Sequence, residues 1–200
     1  MKQLLIGTKN SAKFDELSHV LGEYGFDCHT LKDIDIKVDV EETGSTYKEN
    51  AVLKAKSYAK ISNTLTVADD SGLSIDALDG TPGLRSRDLY GQGRNTDEEL
   101  LAWVKEKMKN VASDNRTAKF VAAVAICNPE GKCNVVESST EGIITEQVDT
   151  KIIPGYPFRS VFYIPKFQKY YSRLTPEEHQ QVAHRTLSAK KLSKYFKQYD

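Results

Sequence analysis

Apolar residues recur along this chain with two different spacings, and the switching between them separates strands from helices. Leu4, Leu5 and Ile6 run without interruption to Gly7, which reads as a buried strand. Polar Thr8, Lys9, Asn10 and Ser11 follow, and then Leu17, Val20, Leu21 and Tyr24 at helical spacing. Strand, polar turn, helix is the layout. Asn10 or Ser11 is placed to cap that helix, whose unpaired N-terminal amides together with Lys13 make an anion site; ordinary capping beside a solvated lysine gives the same pattern.

Thr46 and Glu49 have capping-box spacing, so a second helix is predicted from there, with Ala51, Ala55, Tyr58 and Ala59 on its buried face and Lys54 off the centre of it. Leu65 to Ala68 reads as a second buried strand that ends in an acidic turn, Asp69, Asp70, Ser71 and Gly72. Such a turn at the carboxyl end of a strand is where open α/β sheets gather ligands, although both aspartates also suit a plain turn. Thr96 with Glu99 caps a third helix through Leu100, Leu101, Val104 and Met108. Lys119 to Ile126 alternates as a strand, Pro129 and Gly131 mark a turn, and Cys133 to Glu137 returns as the second half of a hairpin. A further strand is predicted at Gly142 to Thr145 and a shaped loop at Pro154 to Pro157. Thr175, Pro176 and Glu178 open a last helix with Ala189, Leu192 and Phe196 buried.

Composition narrows the class. At 200 residues, 39% hydrophobic and 28% charged, the chain is a folded globular domain, expected to be a single one over 1–200. Its 28 basic and 28 acidic residues cancel, which disfavours a nucleic-acid tracker while leaving room for a local basic pocket around a polyphosphate. Three cysteines, Cys28, Cys127 and Cys133, are an odd number without CxxC spacing and read as reduced thiols. With no signal-peptide pattern and no apolar run near the roughly 20 residues that span a bilayer, the expected compartment is the cytoplasm, with no membrane partner.

Three polar clusters hold the candidate chemistry: Thr8, Asn10 and Lys13; Glu41 and Glu42 with Lys54; and Asp69, Asp70 and Ser71. Carboxylates and lysines converging in one cleft suit a polyphosphate bound with Mg²⁺, a hard cation that takes one or two carboxylates plus phosphate oxygens and water. Lysines neutralise the remaining phosphate charge, and a carboxylate orients the attacking water. No Walker A, GxSxG, HExxH or zinc-cysteine pattern competes with this arrangement.

The segments GTKNSAKFDEL (Gly7 to Leu17), VEETGSTYKENAVLKA (Val40 to Ala55) and ADDSGLSIDALDGTPG (Ala68 to Gly83) resemble the signature of the inosine triphosphate pyrophosphatase family. The likeness continues through RTAKFVAAVAI (Arg116 to Ile126), Val161 to Pro165 and Ala183, His184 and Arg185, and covers essentially the whole chain. It implies a mixed α/β fold with a long bent sheet, two lobes, flanking helices, a nucleotide cleft between the lobes, and a homodimer. The implied reaction is hydrolysis of non-canonical purine nucleoside triphosphates between the α and β phosphates, giving monophosphate and pyrophosphate. Thr8, Asn10 and Lys13, with the intervening Lys9, Ser11 and Ala12, would hold the triphosphate, and Lys54 would assist at the scissile anhydride. Glu42, or in second place Glu41, and Asp70 would hold Mg²⁺; Asp70 would also accept the proton of the attacking water, and Ser71 would contact substrate.

The base-recognition half departs from the family. Where the family reads GFGYDPIF, this chain has Gly155, Tyr156, Pro157, Phe158, Arg159, Ser160, Val161 and Phe162. The resemblance still assigns Tyr156, Phe158, Arg159, His179, His184 and Arg185 to the base, with His179 and Ala183 replacing a lysine and a serine. Arg85, Arg87 and Asp88 also differ from the usual pattern. Tyr156 and Phe158 packing in a core, and His184 as a satisfied helix histidine, stay open at this point. So do two alternative functions: the same pyrophosphatase chemistry on another base, and a nucleotide binder without turnover.

Overall fold

The computed structural model describes residues 1–91, 93 and 95–199. One mixed seven-stranded sheet is formed by β1 (Lys2–Ile6), β2 (Phe26–His29), β3 (Thr66–Ile75), β4 (Thr117–Cys127), β5 (Cys133–Ile144), β6 (Phe162–Ile164) and β7 (Lys169–Tyr170), in the spatial order β2-β1-β3-β4-β5-β6-β7. β1 pairs in parallel with β2 and β3, whereas β5, β6 and β7 pair antiparallel. The helices are α1 (Ser11–Gly22), α2 (Tyr47–Ser62), α3 (Asp97–Met108), α4 (Pro176–Val182) and α5 (His184–Leu192). Among the described residues no helix is long and apolar enough to cross a membrane.

The chain divides into two compact units. The first comprises Met1–Asp70, Ala122–Ser138 and His184–Asp200. Strand alternation sorts its side chains onto two faces. Leu4, Ile6, Val67, Val124 and Ile126 pack on Leu17, Val20 and Leu21 of α1 and on Ala189 and Leu192 of α5. Their neighbours on the other face, Ala68, Ala123 and Ala125, meet Ala51, Ala55 and Ala59 of α2. Small residues on both sides of this second layer let α2 approach the sheet closely, and Gly7 belongs to the same requirement. A Cβ on Gly7 would come within 2.7 Å of the Tyr58 ring.

The second unit comprises Ser71–Val121 and Ser139–Ala183. Its core sets Leu73, Ile75, Phe120, Ile144 and Phe162 against Leu100, Val104 and Met108 of α3. Buried Arg116 is satisfied entirely by backbone, donating to the carbonyls of Ile144, Met108, Val111 and Thr145.

Several expectations are corrected. Asp69 and Asp70 are not in a turn: β3 runs through them to Ile75, because β1 and β4 flank the strand and cationic side chains answer both carboxylates. The strand pieces predicted at Cys133 and Gly142 are one continuous β5; between buried Val136 and Ile144 its buried positions are Ser138, Thr140 and Gly142, which hide its alternation from a hydrophobicity count. The last helix is two, broken where Ala183 is extended at ψ 107°. Cys127 and Cys133 form a disulfide rather than two thiols, since the β4–β5 turn brings their Cα atoms to 4.2 Å; Cys28 is the free cysteine. At α2 the capping box is half made: Thr46 Oγ1 accepts from the Glu49 amide, but the Glu49 carboxylate takes its bonds from Ser45. Thr96 and Thr175 complete theirs.

Candidate active site

Thr8 to Lys13 leave the carboxyl end of β1, beside the point where β3 reaches Asp69 and Asp70; Gly7 still donates to the Val67 carbonyl at 2.7 Å. Asn10 is the N-cap of α1, and its Oδ1 accepts from the amides of Ala12 at 3.0 Å and Lys13 at 3.3 Å. Those two amides are therefore engaged, which corrects the expectation of unpaired ones. Thr8 Oγ1 in turn accepts from the Asn10 amide at 3.2 Å. A closed turn results, with the Lys13 side chain projecting from it.

Lys13 Nζ lies 3.0 Å from Asp69 Oδ2. The same oxygen accepts from Arg185 Nε at 2.9 Å, and the Arg185 guanidinium also binds Glu16. Arg185 is 1% exposed, so this pairing is deep in the fold. Asp70, one residue on, belongs to the other face of the strand and to α2. Lys54 Nζ lies between Asp70 Oδ1 at 3.2 Å and Glu42 Oε1 at 2.9 Å. Asn50, one helical turn before Lys54, donates to Asp70 Oδ2 at 3.2 Å and accepts from the Gly44 amide at 2.7 Å. A Cβ on Gly44 would lie 2.7 Å from Asn50 Oδ1, so only glycine lets the loop that holds Glu42 close onto α2.

Electrostatics separate the two aspartates. Burial pushes Asp69 up, but Lys13, Arg185 and Lys54 outweigh it and hold the carboxyl well below the ordinary range. Asp70 moves the other way: burial, and the like charges of Glu42 and Asp69, raise it against the pull of Lys54 and Lys13. Lys13 is lowered by burial, Arg185 and Lys54, against Asp69 and Asp70. Burial also pulls Lys54 down, yet Asp70, Asp69 and Glu42 leave it raised. A carboxylate made more basic than usual beside a cationic lysine has the properties of a proton acceptor.

The structure thus brings Thr8, Asn10, Lys13, Glu42, Lys54, Asp69, Asp70 and Arg185 into the first unit. Glu42 is the glutamate that pairs with Lys54; both it and Glu41 are exposed. Lys9 is turned to Asp39, Ser11 starts α1, and Ala12 contributes only backbone. Ser71 follows Asp70 on β3 and is half-buried, and His184 is buried at the start of α5. In the second unit, Arg159 is 7% exposed, with its guanidinium 3.9 Å from the Tyr156 ring centroid and 4.9 Å from that of Tyr171. His179 stacks on Tyr171 with centroids 5.4 Å apart, and Phe158 lies in that unit's apolar core.

Sequence reasoning missed Asn50 and Glu16. Asn50 had a signal, since it precedes Lys54 by one helical turn and shares its face. Glu16 follows Lys13 by three residues on the same side of α1, but only the fold brings Arg185 to it.

A family model described as the Ham1 family matches residues 4–195. The chain is 36% identical over 195 residues to a dITP/XTP pyrophosphatase of Halalkalibacterium halodurans, covering 98% of this chain and 99% of that one. It is 36% identical over 194 residues to the dITP/XTP pyrophosphatase of Bacillus subtilis, covering 97% and 96%. Among solved structures, the Staphylococcus aureus Ham1 protein superposes with a TM-score of 0.83 at 29% identity over 100% of both chains. A HAM1 protein from Coxiella burnetii gives 0.85 at 30% identity, covering 99% of this chain and 100% of that one.

Proposed function

The chain belongs to the Ham1 family, and from that premise we propose that it hydrolyses non-canonical purine nucleoside triphosphates, dITP and XTP among them, to the monophosphate and pyrophosphate. The observation behind this reading is the position of Lys54 between Glu42 and Asp70, next to Lys13 on Asp69. Phosphoryl chemistry asks a protein chiefly for positioning and charge stabilisation, and these are the groups that supply both.

The donor set fits a hard divalent cation. Counted at neutral pH, the carboxylates of Glu16, Glu42, Asp69 and Asp70 face the cations of Lys13, Lys54 and Arg185, which leaves one negative charge. A divalent ion turns that surplus positive, as a polyphosphate requires. Glu42 and Asp70 would hold Mg²⁺, which would supply charge neutralisation on the phosphate oxygens.

The chain's own residues do the remaining work. The turn from Thr8 to Lys13, rigid because Asn10 closes it, presents the Lys13 ammonium to the phosphate chain. Lys54 answers charge developing at the cleaved anhydride, and Asp70 takes the proton from the attacking water. Nucleobase selection is assigned by the sequence resemblance to Tyr156, Phe158, Arg159, His179, His184 and Arg185. The active species is a cytoplasmic homodimer in this reading, and sedimentation analysis checks the dimer.

The test is product identity across dITP, XTP, ITP and the canonical triphosphates, with and without EDTA. Monophosphate plus pyrophosphate, lost on chelation, is the expected result. Diphosphate plus orthophosphate, or no turnover of any triphosphate, would overturn the reading.

A further inference from the structure

We propose a second ligand site in the first unit, for an organic anion with a flat apolar body, in a cavity of about 660 Å³ beside α1. The cavity adjoins the polyphosphate cluster, sharing Thr8, Lys9 and Ser11 of its turn, but lies on the other side of α1, and the proposal does not depend on the reading above. Neither Lys13, Glu42, Lys54, Asp69 nor Asp70 lines it. At 3.6 residues per turn, Ser11, Phe14 and Asp15 occupy the side of α1 that lines the cavity, whereas Lys13, Glu16 and Leu17 occupy the opposite side.

The cavity has built walls. Phe14 of α1 lines it together with Leu31 and Ile36 in the segment after β2. That segment is cross-tied: the Thr30 amide donates to Asp33 Oδ2 at 2.7 Å, the Asp33 amide to Thr30 Oγ1 at 3.2 Å, and the Ile36 amide to the Leu31 carbonyl at 2.9 Å. Leu31 is itself buried against Leu5 and Tyr58, which anchors this wall in the core. A volume of this size, lined by these apolar side chains, accommodates a one- or two-ring body.

Charge selects the polar end of the ligand. Lys9, Lys32 and Lys37 line the cavity against a single acidic lining residue, Asp15. The carboxylates that pair with Lys9 and Lys37 are those of Asp39 and Asp35, whose side chains are 80% and 83% exposed. Such water-screened pairs hold their lysines weakly, and neither aspartate lines the cavity. The Lys9 and Lys37 side chains are themselves 46% and 85% exposed, so their charges stand at the water edge of the cavity; a neutral hydrophobe uses the apolar lining alone, inorganic phosphate the charges alone, and the fitting class uses both.

The probe is naphthalene-2-sulfonate, titrated into the ¹⁵N-labelled full chain. Saturable shifts are expected at the amides of Phe14, Asp15 and 31–37. The exposed-charge double variant Lys32→Glu, Lys37→Glu should bind the probe at least about tenfold more weakly while hydrolysing nucleotide and unfolding thermally as the parent does. Neutral naphthalene-2-methanol should likewise bind at least about tenfold more weakly than the sulfonate. Ile36→Trp, which fills the space, should abolish the shifts. The proposal is overturned by an absence of saturation up to about 10 mM, by shifts centred on Lys54 and Asp70, or by unchanged affinity in the double variant.

Discussion

Arg185 Nε donates to Asp69 Oδ2 at 2.9 Å, joining two buried residues 116 positions apart in the chain. The same carboxylate oxygen receives Lys13, so a helix start, a strand and a late helix are held at one atom. Removing that carboxylate takes from two buried cations the group they share, although Arg185 keeps Glu16. Asp69→Asn should therefore destabilise the fold by about 3 kcal/mol, read from urea denaturation. An unchanged midpoint would show that the ion pair is immaterial to folding.

The same carboxylate sets an acid limit. Asp69 is held below its ordinary value in the folded chain, so its stabilising contribution is complete above the unfolded value of about 3.9 and is lost progressively as pH falls below that. Asp70, raised on folding, acts with the opposite sign. Stability measured in EDTA from pH 6 to pH 2 should fall along a curve that flattens in Asp69→Asn. Identical slopes in parent and variant would assign the acid transition to other groups.

Asp70→Asn keeps the shape of the side chain but loses the carboxylate proposed as proton acceptor. Turnover of dITP should drop by at least about 10²-fold with the fold intact by circular dichroism. Lys13→Ala should raise KM at least as much as it lowers kcat, because a phosphate clamp acts in ground and transition states alike. Small, equal effects from both substitutions would move the reaction away from this cluster.

Arg159, stacked on Tyr156, offers only donors where the family's usual acidic residue offers only acceptors. Donors match the O6 and N7 acceptors of hypoxanthine, xanthine and guanine and conflict with the amino group of adenine. Arg159→Ala should lower the preference for 6-oxopurine triphosphates over ATP by roughly tenfold. A ratio that stays put would leave Arg159 a packing residue.

The Cys127–Cys133 disulfide closes a short loop between β4 and β5. Reduction should cost about 2 kcal/mol of stability, measured by denaturation with and without dithiothreitol. Turnover at assay temperature should not change, since neither cysteine touches the polar cluster.

Local signals were the legible part of this chain. Thr46, Thr96 and Thr175 are N-caps of helices as their spacing indicated, and the apolar face of α2 is the one its alanines marked. Lys13, Glu42, Lys54 and Asp70 were nameable because their motifs are contiguous. What could not be seen are relations set by tertiary pairing. The extended course of β3 through two aspartates looked like a turn, because charged residues disfavour strands unless distant cations neutralise them. β2 is an edge strand of four residues, too short and mixed in Phe26, Asp27, Cys28 and His29 to show a period. Glu16 became part of the cluster only through Arg185, a partner invisible to any local window.

The pleat of β3 makes the sheet a partition between two chemistries. Asp69 and Asp70 share a peptide bond, yet one faces the cations of α1 and α5 and the other faces those of α2, with their acidities driven apart. Inserting or deleting one residue between Val67 and Asp69 would exchange these assignments while leaving composition and strand length almost untouched. The anchoring carboxylate would then face Lys54, and the proton acceptor would be clamped by Arg185. Spacing along this strand is thus as much a part of the charged cluster as the side chains it displays, and variation here must proceed by substitution, never by a change in count.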